Sequence, residues 1–504
     1  MSWGSDALGV TQDTFDMIKA ATGGIVTGTG IAGIDLQDLI SWVPVDTPFF
    51  NTTPRVGAKQ GALFAVWQAL LNINQQQPDG GVPEDQSAPL IDIQNQYMYA
   101  PFAVVGAGGT VSWDALARGE NYADVLAVDT LQSINQLLIS LDIHQLNATS
   151  FPLPAIGTVT LGAASTGGSI ATGTVYVKCA ARSGMNYYRG GSGVASAEAS
   201  VAVTGPTASV SASVPFVKMA NAYDWYVGSA TGAEFYYTTT IVNSVTITSV
   251  PTVAANVPSL SGIYNAGKQG PTAVPTTDTS YQSYWQNGLQ ASILGDFAST
   301  LDQLGTSGAI ANLVTPGTGV SQGAYYSNLN GATLTVSGAA LLEIDEMNRA
   351  IYDAYQLTPT RMLMGSQSIN DIANAVLDNP QAVTWLVPTD ADGRARVVAG
   401  GAVALYLNKT VNGKPITIEL QPHLPPGVIV SVVDEVPFPG ANITTALEVE
   451  TLYDFFRFDY GANRQPGVSN GGPRYDFEVR TQQAFKNKAS AMMGVLAGIG
   501  AGVG

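Results

Sequence analysis

The chain has 504 residues, enough for about two to four domains and a large core. Only 12% of the residues are charged, and 55 glycines with 27 prolines indicate many turns and extended segments. The net charge of −17 argues against a protein that grips nucleic acid through a basic face. The single cysteine, Cys179, permits no internal disulfide, and neither a signal peptide nor a membrane-spanning apolar stretch is visible. We therefore expect synthesis in a cytoplasm.

Residues 1–57 are predicted to form an N-terminal arm. Short helices are expected at Thr11–Ala20 and at Asp35–Trp42, where Asp35 can cap the helix. Between them, Gly28-Thr29-Gly30-Ile31-Ala32-Gly33 matches the dinucleotide fingerprint G-x-G-x-x-G. No βαβ unit surrounds this motif and no acidic residue lies near position 53, so we interpret it as a chance match in a flexible arm.

Residues 58–100 are predicted to form a long β-hairpin. Two β-prone runs, Ala62–Trp67 and Ile91–Tyr99, flank the turn signal Pro78-Asp79-Gly80-Gly81. An isolated hairpin buries little apolar surface and is marginal in water. A hairpin of this length is therefore expected to lie on a neighbour.

A long helix is the strongest secondary-structure prediction. Phe102–Val105 is a strand candidate, and Ser112 is expected to cap the turn that follows it. From Tyr122 to Leu146, apolar residues recur at helical spacing over roughly 25 residues, or about 38 Å. His144 lies near the C-terminal end, where a cation is mildly favoured, and we interpret it as structural.

Residues 151–285 differ in composition from the rest of the chain, with only five basic and four acidic residues. Alternating patterns separated by Gly, Ser and Thr turns predict a β-sandwich. The predicted strands are Thr174–Lys178, Ala199–Val203, Ser209–Val214, Asp224–Val227, Phe235–Thr239 and Ser244–Thr248. Tyr223–Gly228 with Phe235-Tyr236-Tyr237 resembles the later strands of fibronectin type III domains. We place the sandwich at 151–265 and a linker at 266–285.

The remaining residues predict an α+β body, because helices and strands alternate irregularly. Helices are expected at Gln286–Leu304, Ser337–Ala354 and Ser368–Leu377. Strands are expected at Arg361–Met364, Ala402–Leu407, Ile416–Leu420, Val428–Val433 and Phe477–Arg480. The aromatic run Tyr453–Tyr460 could line a ligand groove, but we interpret it as a β-segment that packs on the core or on a partner.

Motifs that could carry chemistry lack the context that their chemistry needs. Gly467-Val468-Ser469-Asn470-Gly471 matches a nucleophile elbow, but both histidines, His144 and His423, precede it. Asp390-Ala391-Asp392-Gly393 resembles part of a calcium loop, but Pro388 occupies the first ligand position. Two distant histidines and one cysteine do not make an ordinary zinc site. We therefore expect no enzyme activity, no metal and no cofactor.

The order arm, hairpin, long helix, insertion and mixed body resembles the Hong Kong 97-type major capsid proteins of tailed bacteriophages. The segments that carry this resemblance are Tyr97–Ala103 with Val111–Leu116, Asp142–Asn147, Thr358–Gly365 with Ile369–Leu377, Pro415–Ile418 with Leu424–Ile429, and Phe477–Arg480 with Ala484-Phe485. The resemblance implies an extended loop at 58–100, a peripheral domain with a spine helix at 101–150, an axial domain at 286–430, and a return to the peripheral domain at 431–504. Relative to the family, 151–285 is an insertion, made of the sandwich at 151–265 and the linker at 266–285.

This resemblance implies an icosahedral shell, built from hexamers and pentamers of the chain, that encloses phage double-stranded DNA. The virion would then be its location and the host cytoplasm its place of assembly. Implied partners are a separate scaffolding protein and a portal, with a decoration protein left open, and no membrane. Some members carry immunoglobulin-like insertions that protrude, so the insertion is expected to project from the outer surface.

The resemblance also implies that the arm and hairpin of one subunit lie across its neighbours. We predict inter-subunit contacts at Phe49, Phe50, Phe64, Trp67 and Leu70, at about 25 cal/mol per Å² of apolar surface buried. Some members crosslink a Lys of the extended loop to an Asn of a neighbour. The only Lys between residues 20 and 177 is Lys59, at the base of the loop, so we expect no crosslink between subunits.

Two alternatives stay open. A phage tail or adhesin protein could bind a cell surface through the fibronectin-like domain, and it would form no closed shells. A hydrolase could use Ser469 as its nucleophile, and unchanged particle assembly after Ser469→Ala would leave that alternative without support.

Overall fold

The computed structural model describes residues 45–59, 61–73, 82, 84–85, 87, 93–119, 125–252, 274–294, 324–337, 340–377, 405–408, 414–438, 441–464 and 473–500. The chain divides into two compact units. The smaller unit comprises Met1–Asp46, Val105–Ser140 and Tyr453–Thr481, and the larger unit comprises Thr47–Val104, Leu141–Leu452 and Gln482–Gly504. The helices predicted at Thr11–Ala20 and Asp35–Trp42 lie outside the described residues.

Helices and strands mix along the chain, so the predicted α+β class is confirmed. The helices are α1 (Pro48–Thr52), α2 (Trp113–Gly119), α3 (Val125–Asn147), α4 (Gly184–Arg189), α5 (Leu289–Leu294), α6 (Leu342–Tyr355) and α7 (Ser366–Leu377). The strands up to the end of the insertion are β1 (Arg55–Gly57), β2 (Phe64–Ile73), β3 (Ile93–Pro101), β4 (Ala103–Ser112), β5 (Thr160–Ala164), β6 (Gly173–Ser183), β7 (Ala199–Val203), β8 (Ser209–Ser213), β9 (Ala220–Gly228), β10 (Phe235–Thr240) and β11 (Ser244–Ile247). The later strands are β12 (Tyr325–Asn328), β13 (Val336–Ser337), β14 (Ala340–Leu341), β15 (Arg361–Met364), β16 (Leu405–Asn408), β17 (Lys414–Leu420), β18 (Ile429–Val432), β19 (Val436–Phe438), β20 (Ala441–Ile443), β21 (Leu447–Arg464), β22 (Pro473–Asn487) and β23 (Gly494–Ala497).

Within the larger unit, the insertion holds two antiparallel sheets with the orders β10-β9-β6-β7 and β11-β8-β5. Their inward side chains, among them Val177, Trp225, Val210 and Ile247, belong to one buried cluster. All six strands predicted here are present. Strand β5 was not predicted, because its small residues TLGAA are mostly exposed and show no alternation.

The boundary of the insertion is less sharp than predicted. Its buried cluster also contains body residues such as Leu289, Val430 and Phe485, so one hydrophobic core runs through both. The linker assigned to 266–285 is wrong for residues 274–285, which pack closely. Thr279 N donates to Ser192 O at 3.0 Å, and Ser280 is fully buried.

The body of the larger unit contains a six-stranded mixed sheet with the order β12-β23-β18-β15-β17-β16. Strands β15, β16, β17 and β18 were all predicted, β15 with its observed bounds. Helices α6 and α7 bury Met347 and Ile372 in a cluster that includes Met362 and Met364 of β15. Helix α6 begins at Leu342, later than the predicted Ser337, and ends where Gln356 adopts φ 54°. Of the helix predicted at Gln286–Leu304, α5 is described and residues 295–304 lie outside the described ranges.

The smaller unit combines parts of β4, β21 and β22 with the N-terminal part of α3. In the sheet order, β22 lies between β21 and β4, and Thr110 donates to Asp476 Oδ1 at 2.6 Å across that pair. The predicted cap is present, since Ala115 N donates to Ser112 Oγ at 3.2 Å. Phe477 and Val479 are buried in this unit. The predicted helix Tyr122–Leu146 is confirmed as α3, with Tyr122 outside the described residues.

Gly109 of β4 provides a test of how α3 packs. A Cβ atom at this position would overlap the ring of Phe477 and the carboxylate of Asp129 on α3. We expect Gly109→Ala to destabilise the protein by about 1–3 kcal/mol, because the buried ring and the helix would both have to shift. Urea unfolding measures this cost. The matched control is Gly57→Ala, since nothing lies within 4 Å of a Cβ there, and equal stability of the two variants would refute this packing.

Candidate assembly surfaces

The predicted hairpin is present as an antiparallel pair of strands in the larger unit. Strands β2 and β3 pair from Phe64 opposite Pro101 to Ile73 opposite Ile93, with one irregularity between Leu70 and Asn72. The turn signal at residues 78–81 lies outside the described residues. Since side chains alternate along a strand, this register fixes which of them share a face.

One face of the hairpin packs on its own chain. Ala65 and Ala100 form a small buried cluster with Ala484 of β22, and Trp67 packs against this cluster. Lys486 Nζ lies 5.8 Å from the centroid of the Trp67 ring, a cation–π contact. The small alanine side chains allow the hairpin to approach β22 closely, so this face of the hairpin is covered by its own subunit.

The other face of the hairpin is apolar and exposed. Phe64, Val66 and Tyr97 are 48%, 55% and 68% exposed, although all three are large apolar side chains. Phe64 and Tyr99 make an edge-to-face contact, with ring centroids 5.4 Å apart. Contiguous exposed apolar side chains of this kind mark interaction surfaces in soluble proteins. We call Phe64, Val66 and Tyr97 the outer hairpin face.

The five predicted contact residues differ in their surroundings. Phe49 is fully buried in its own chain, with its ring centroid 6.0 Å from that of Phe485, so its assignment as an inter-subunit contact was wrong. Phe50 is half-buried beneath the Arg55 guanidinium, and Trp67 faces the body. Of the five, Phe64 presents an exposed ring. Leu70 lies in β2, and its side chain is outside the described part of the structure.

The described part of the arm is held to the larger unit by several contacts. Besides Phe49 in the core, β1 pairs in parallel with β21, with Arg55 opposite Val449. Phe50 N donates to Asp142 Oδ1 of α3 at 2.8 Å. The predicted arm is therefore anchored between residues 47 and 58 rather than free along its whole length.

Asp142 is also the centre of a buried polar hub. Its Oδ2 lies 2.6 Å from His423 Nδ1, and both side chains are fully buried. The His423 carbonyl accepts from Asn147 Nδ2 at 2.7 Å, and Gln290 Nε2 donates to Asn147 Oδ1 at 3.0 Å. The hub therefore ties the arm, the end of α3, helix α5 and the 421–427 loop together. Sequence reasoning missed it, although Asp142 inside the apolar last turns of α3 was a usable signal.

A second exposed apolar surface lies on the smaller unit. Phe456, Phe458 and Tyr460 alternate along β21 and are all exposed, with the rings of Phe456 and Phe458 4.7 Å apart. Arg480 lies over the Phe458 ring, and Tyr460 Oη donates to Glu478 at 2.9 Å. The prediction that Tyr453–Tyr460 is a β-segment is confirmed. We call Phe456, Phe458 and Tyr460 the aromatic strip.

A third exposed apolar surface lies at one edge of the six-stranded sheet. Strand β16 is the edge strand, where Leu405 and Leu407 are exposed while Tyr406 and Asn408 are buried. Edge strands with exposed apolar side chains are sites where another chain can pair or pack. The larger unit therefore carries two apolar surfaces suited to contact between proteins.

His144 is structural, as predicted, but it is not a cation at the end of the helix. It is buried with its ring edge-to-face against Trp285, at a centroid distance of 5.6 Å. Burial, and then the nearby Arg189, lower the pKa of His144 to about 4. The folded protein therefore keeps this imidazole neutral across the neutral range.

Stability should therefore fall between pH 6.5 and pH 4 through His144. The unfolded chain binds a proton at a pKa of about 6.5, whereas the folded chain does not, so acid favours unfolding by up to about 3 kcal/mol. This loss is absent above pH 6.5 and reaches its full size below about pH 4. We expect His144→Phe, which keeps the ring contact, to flatten this part of the stability curve measured by urea unfolding. A variant curve parallel to that of the wild type would contradict the assignment.

Three predicted motifs lie outside the described residues: Gly28–Gly33, Asp390–Gly393 and Gly467–Gly471 with Ser469. Over the ranges that are described, no group of three or more His, Cys, Asp or Glu side chains is placed to hold a metal ion. Among the described helices, none is both long and apolar enough to cross a bilayer.

Comparisons with known proteins give only remote likenesses. No family model matches the chain, and no curated protein matches it significantly. The capsid of a native GTA particle has 10% identity and a TM-score of 0.42, covering 96% of this chain and 98% of that chain. The cyanophage A-1(L) capsid has 10% identity and a TM-score of 0.40, covering 94% of this chain and 97% of that chain. A Mycobacterium phage Bobi structure has 8% identity and a TM-score of 0.38, covering 92% of this chain and 93% of that chain.

Proposed function

We propose that the chain is a major capsid protein of a tailed phage, with the Hong Kong 97-type architecture that its order of elements resembles. The observation that carries the proposal is the two-faced hairpin. One face is packed on the subunit's own Ala484 and Lys486, while the outer hairpin face exposes three large apolar side chains. Such a hairpin is stable on its subunit and still needs a partner to cover it.

The partner that we propose is another copy of the chain. The outer hairpin face, the aromatic strip and the edge strand β16 give each subunit more than one apolar surface. Contacts between different surfaces are heterologous, and they close into rings such as hexamers and pentamers when the rotation permits. The charge of −17 suits a wall that encloses DNA without gripping it. A structural role of this kind requires no enzyme activity.

Further partners follow from the same proposal. A scaffolding protein and a portal would be needed to form a closed head, which would assemble in the bacterial cytoplasm and become part of the virion. The insertion would project outward as an immunoglobulin-like domain. The nearly balanced charge of residues 151–285, with five basic and four acidic residues, sets this segment apart from the acidic remainder of the chain.

Electron microscopy of the purified full chain, expressed alone and together with candidate scaffolding proteins, tests the proposal. We expect closed icosahedral particles whose surface carries protrusions. If the chain stays unassembled with every candidate and instead binds bacterial cells through residues 151–265, the tail or adhesin alternative is correct.

A further inference from the structure

A series of buried amide side chains connects the polar hub at Asp142 to the insertion. Asn221 of β9 donates from Nδ2 to Gln290 Oε1 of α5 at 3.3 Å. Gln290 Nε2 donates in turn to Asn147 Oδ1 of α3 at 3.0 Å, and Asn147 Nδ2 donates to the His423 carbonyl at 2.7 Å. We call Asn147, Gln290 and Asn221 the amide network. It joins the insertion to the hub that holds the arm.

The amide network is buried, and its hydrogen bonds all run in one direction. Asn147, Gln290 and Asn221 are 2%, 3% and 5% exposed, so water does not compete for these bonds. At each step the amide nitrogen of one residue donates to the oxygen of the next, an arrangement in which the bonds polarise one another. A buried amide that loses its partner stays unsatisfied, which is costly. The network therefore favours a single arrangement of the insertion, α5 and α3.

A second series of hydrogen bonds runs from the arm to the same helix. Arg55 Nη2 of β1 donates to Gln483 Oε1 of β22 at 3.3 Å. Gln483 Nε2 donates to Gln286 Oε1, also at 3.3 Å, and Gln286 lies just before α5, the helix that carries Gln290. All residues of α5 are buried. The arm and the insertion are therefore both hydrogen-bonded to the α5 segment, one through Gln483 and the other directly.

The docked segment of the arm depends on such contacts for its structure. Its helix α1 has five residues, and Thr47 at its start makes no side-chain cap bond. A helix this short does not persist by itself in water. It is held by Phe49 in the core, by the pairing of β1 with β21, and by the bond from Phe50 N to Asp142. A segment held by a small set of contacts opens locally before the rest of the fold, so the arm has a docked and an open state.

We propose that docking of the arm and seating of the insertion are energetically coupled through the amide network and α5. When the arm opens, Asp142 loses the Phe50 amide, which weakens the hub and the network attached to it. When the insertion is displaced, Gln290 loses Asn221, which loosens the hub that receives the arm. A contact that moves either element therefore shifts the other, and linkage makes the factor equal in both directions.

Hydrogen–deuterium exchange of the unassembled full chain, measured by mass spectrometry of peptic peptides, tests the coupling. Asn221→Ala removes the end of the network that lies in the insertion. We expect the arm peptide that contains Phe50 to exchange at least about fivefold faster in this variant than in the wild type. Equal exchange of this peptide in the two proteins overturns the proposal.

The matched control removes a different hydrogen bond of the insertion. Thr240→Val deletes the acceptor of Trp225 Nε1, which lies 2.9 Å from Thr240 Oγ1, and leaves the amide network intact. Exchange of the arm peptide should be unchanged in this control. If Thr240→Val and Asn221→Ala accelerate it equally, the arm opens only when the whole subunit unfolds, and the proposal fails.

The reverse experiment measures the coupling from the arm. Asp142→Asn weakens the acceptor of the Phe50 amide, so the peptide that contains Ala220, whose amide donates to the Val217 carbonyl at 3.1 Å, should also exchange faster. Acceleration confined to the arm would show that the coupling ends at the hub, which overturns the proposal. If Asn221→Ala does not fold, Gln290→Met breaks the network at its middle and should accelerate the arm peptide equally. These readouts do not involve shell assembly, so failure here and failure of the proposed function are distinguishable.

Discussion

Simultaneous replacement of Phe64, Val66 and Tyr97 by serine should leave the chain folded but abolish particle formation. These side chains are exposed in the subunit, so their loss removes little packing within it. At an interface, each large apolar side chain contributes about 1.5–3 kcal/mol when it is buried. Losing about 5 kcal/mol per contact weakens the association of subunits by more than a thousandfold. Sedimentation velocity and electron microscopy measure the outcome.

A matched control comes from exposed apolar residues of the larger unit that lie outside the three candidate surfaces. Val194 and Tyr284 are 50% and 63% exposed, comparable to the outer hairpin face. Val194→Ser with Tyr284→Ser should assemble like the wild type. Normal particles from the triple hairpin variant would show that the outer hairpin face is not a subunit contact.

Replacement of Asp142 by alanine should destabilise the subunit by about 3–5 kcal/mol. The carboxylate accepts from Phe50 N at 2.8 Å and contacts His423 Nδ1 at 2.6 Å in a fully buried position. Alanine leaves the Phe50 amide and the buried His423 ring without this acceptor, which costs more than the bonds themselves contribute. Urea unfolding at neutral pH, followed by circular dichroism, measures the loss.

Two comparisons isolate the hub. Asp142→Asn keeps an oxygen for Phe50 N but removes the charge, so its loss of stability should be intermediate. Asp353→Ala changes an exposed aspartate on α6 and should alter stability by no more than about 0.5 kcal/mol. If Asp142→Ala is as mild as this control, the hub does not hold the arm to α3.

The alternation of side chains made much of the fold predictable. In the insertion, one face of each sheet packs on a shared core, so the strands appear in the sequence with a period of two. Strand β15 is buried between its neighbours, and Arg361–Met364 was predicted with its observed bounds. Strand β5 was missed because it lies at an exposed sheet edge and has small residues that give no such signal.

Contacts between distant residues were not predictable in the same way. Asp142 and His423 are 281 residues apart, and the sequence around either residue gives no indication that the two are in contact. Phe49 and Phe64 are the same residue type in neighbouring segments, yet one is buried in the core and the other is exposed. Only the packing of the complete chain distinguishes a core phenylalanine from a surface one.

The hairpin shows which features follow from the sequence and which follow only from the tertiary structure. The sequence by itself determined that residues 58–100 contain two β-prone runs around a turn, because alternation and turn residues are local properties. The tertiary structure decided which face is left for a partner. Ala65 and Ala100 are small enough to approach Ala484, so this face packs on the body and Phe64, Val66 and Tyr97 point away from it.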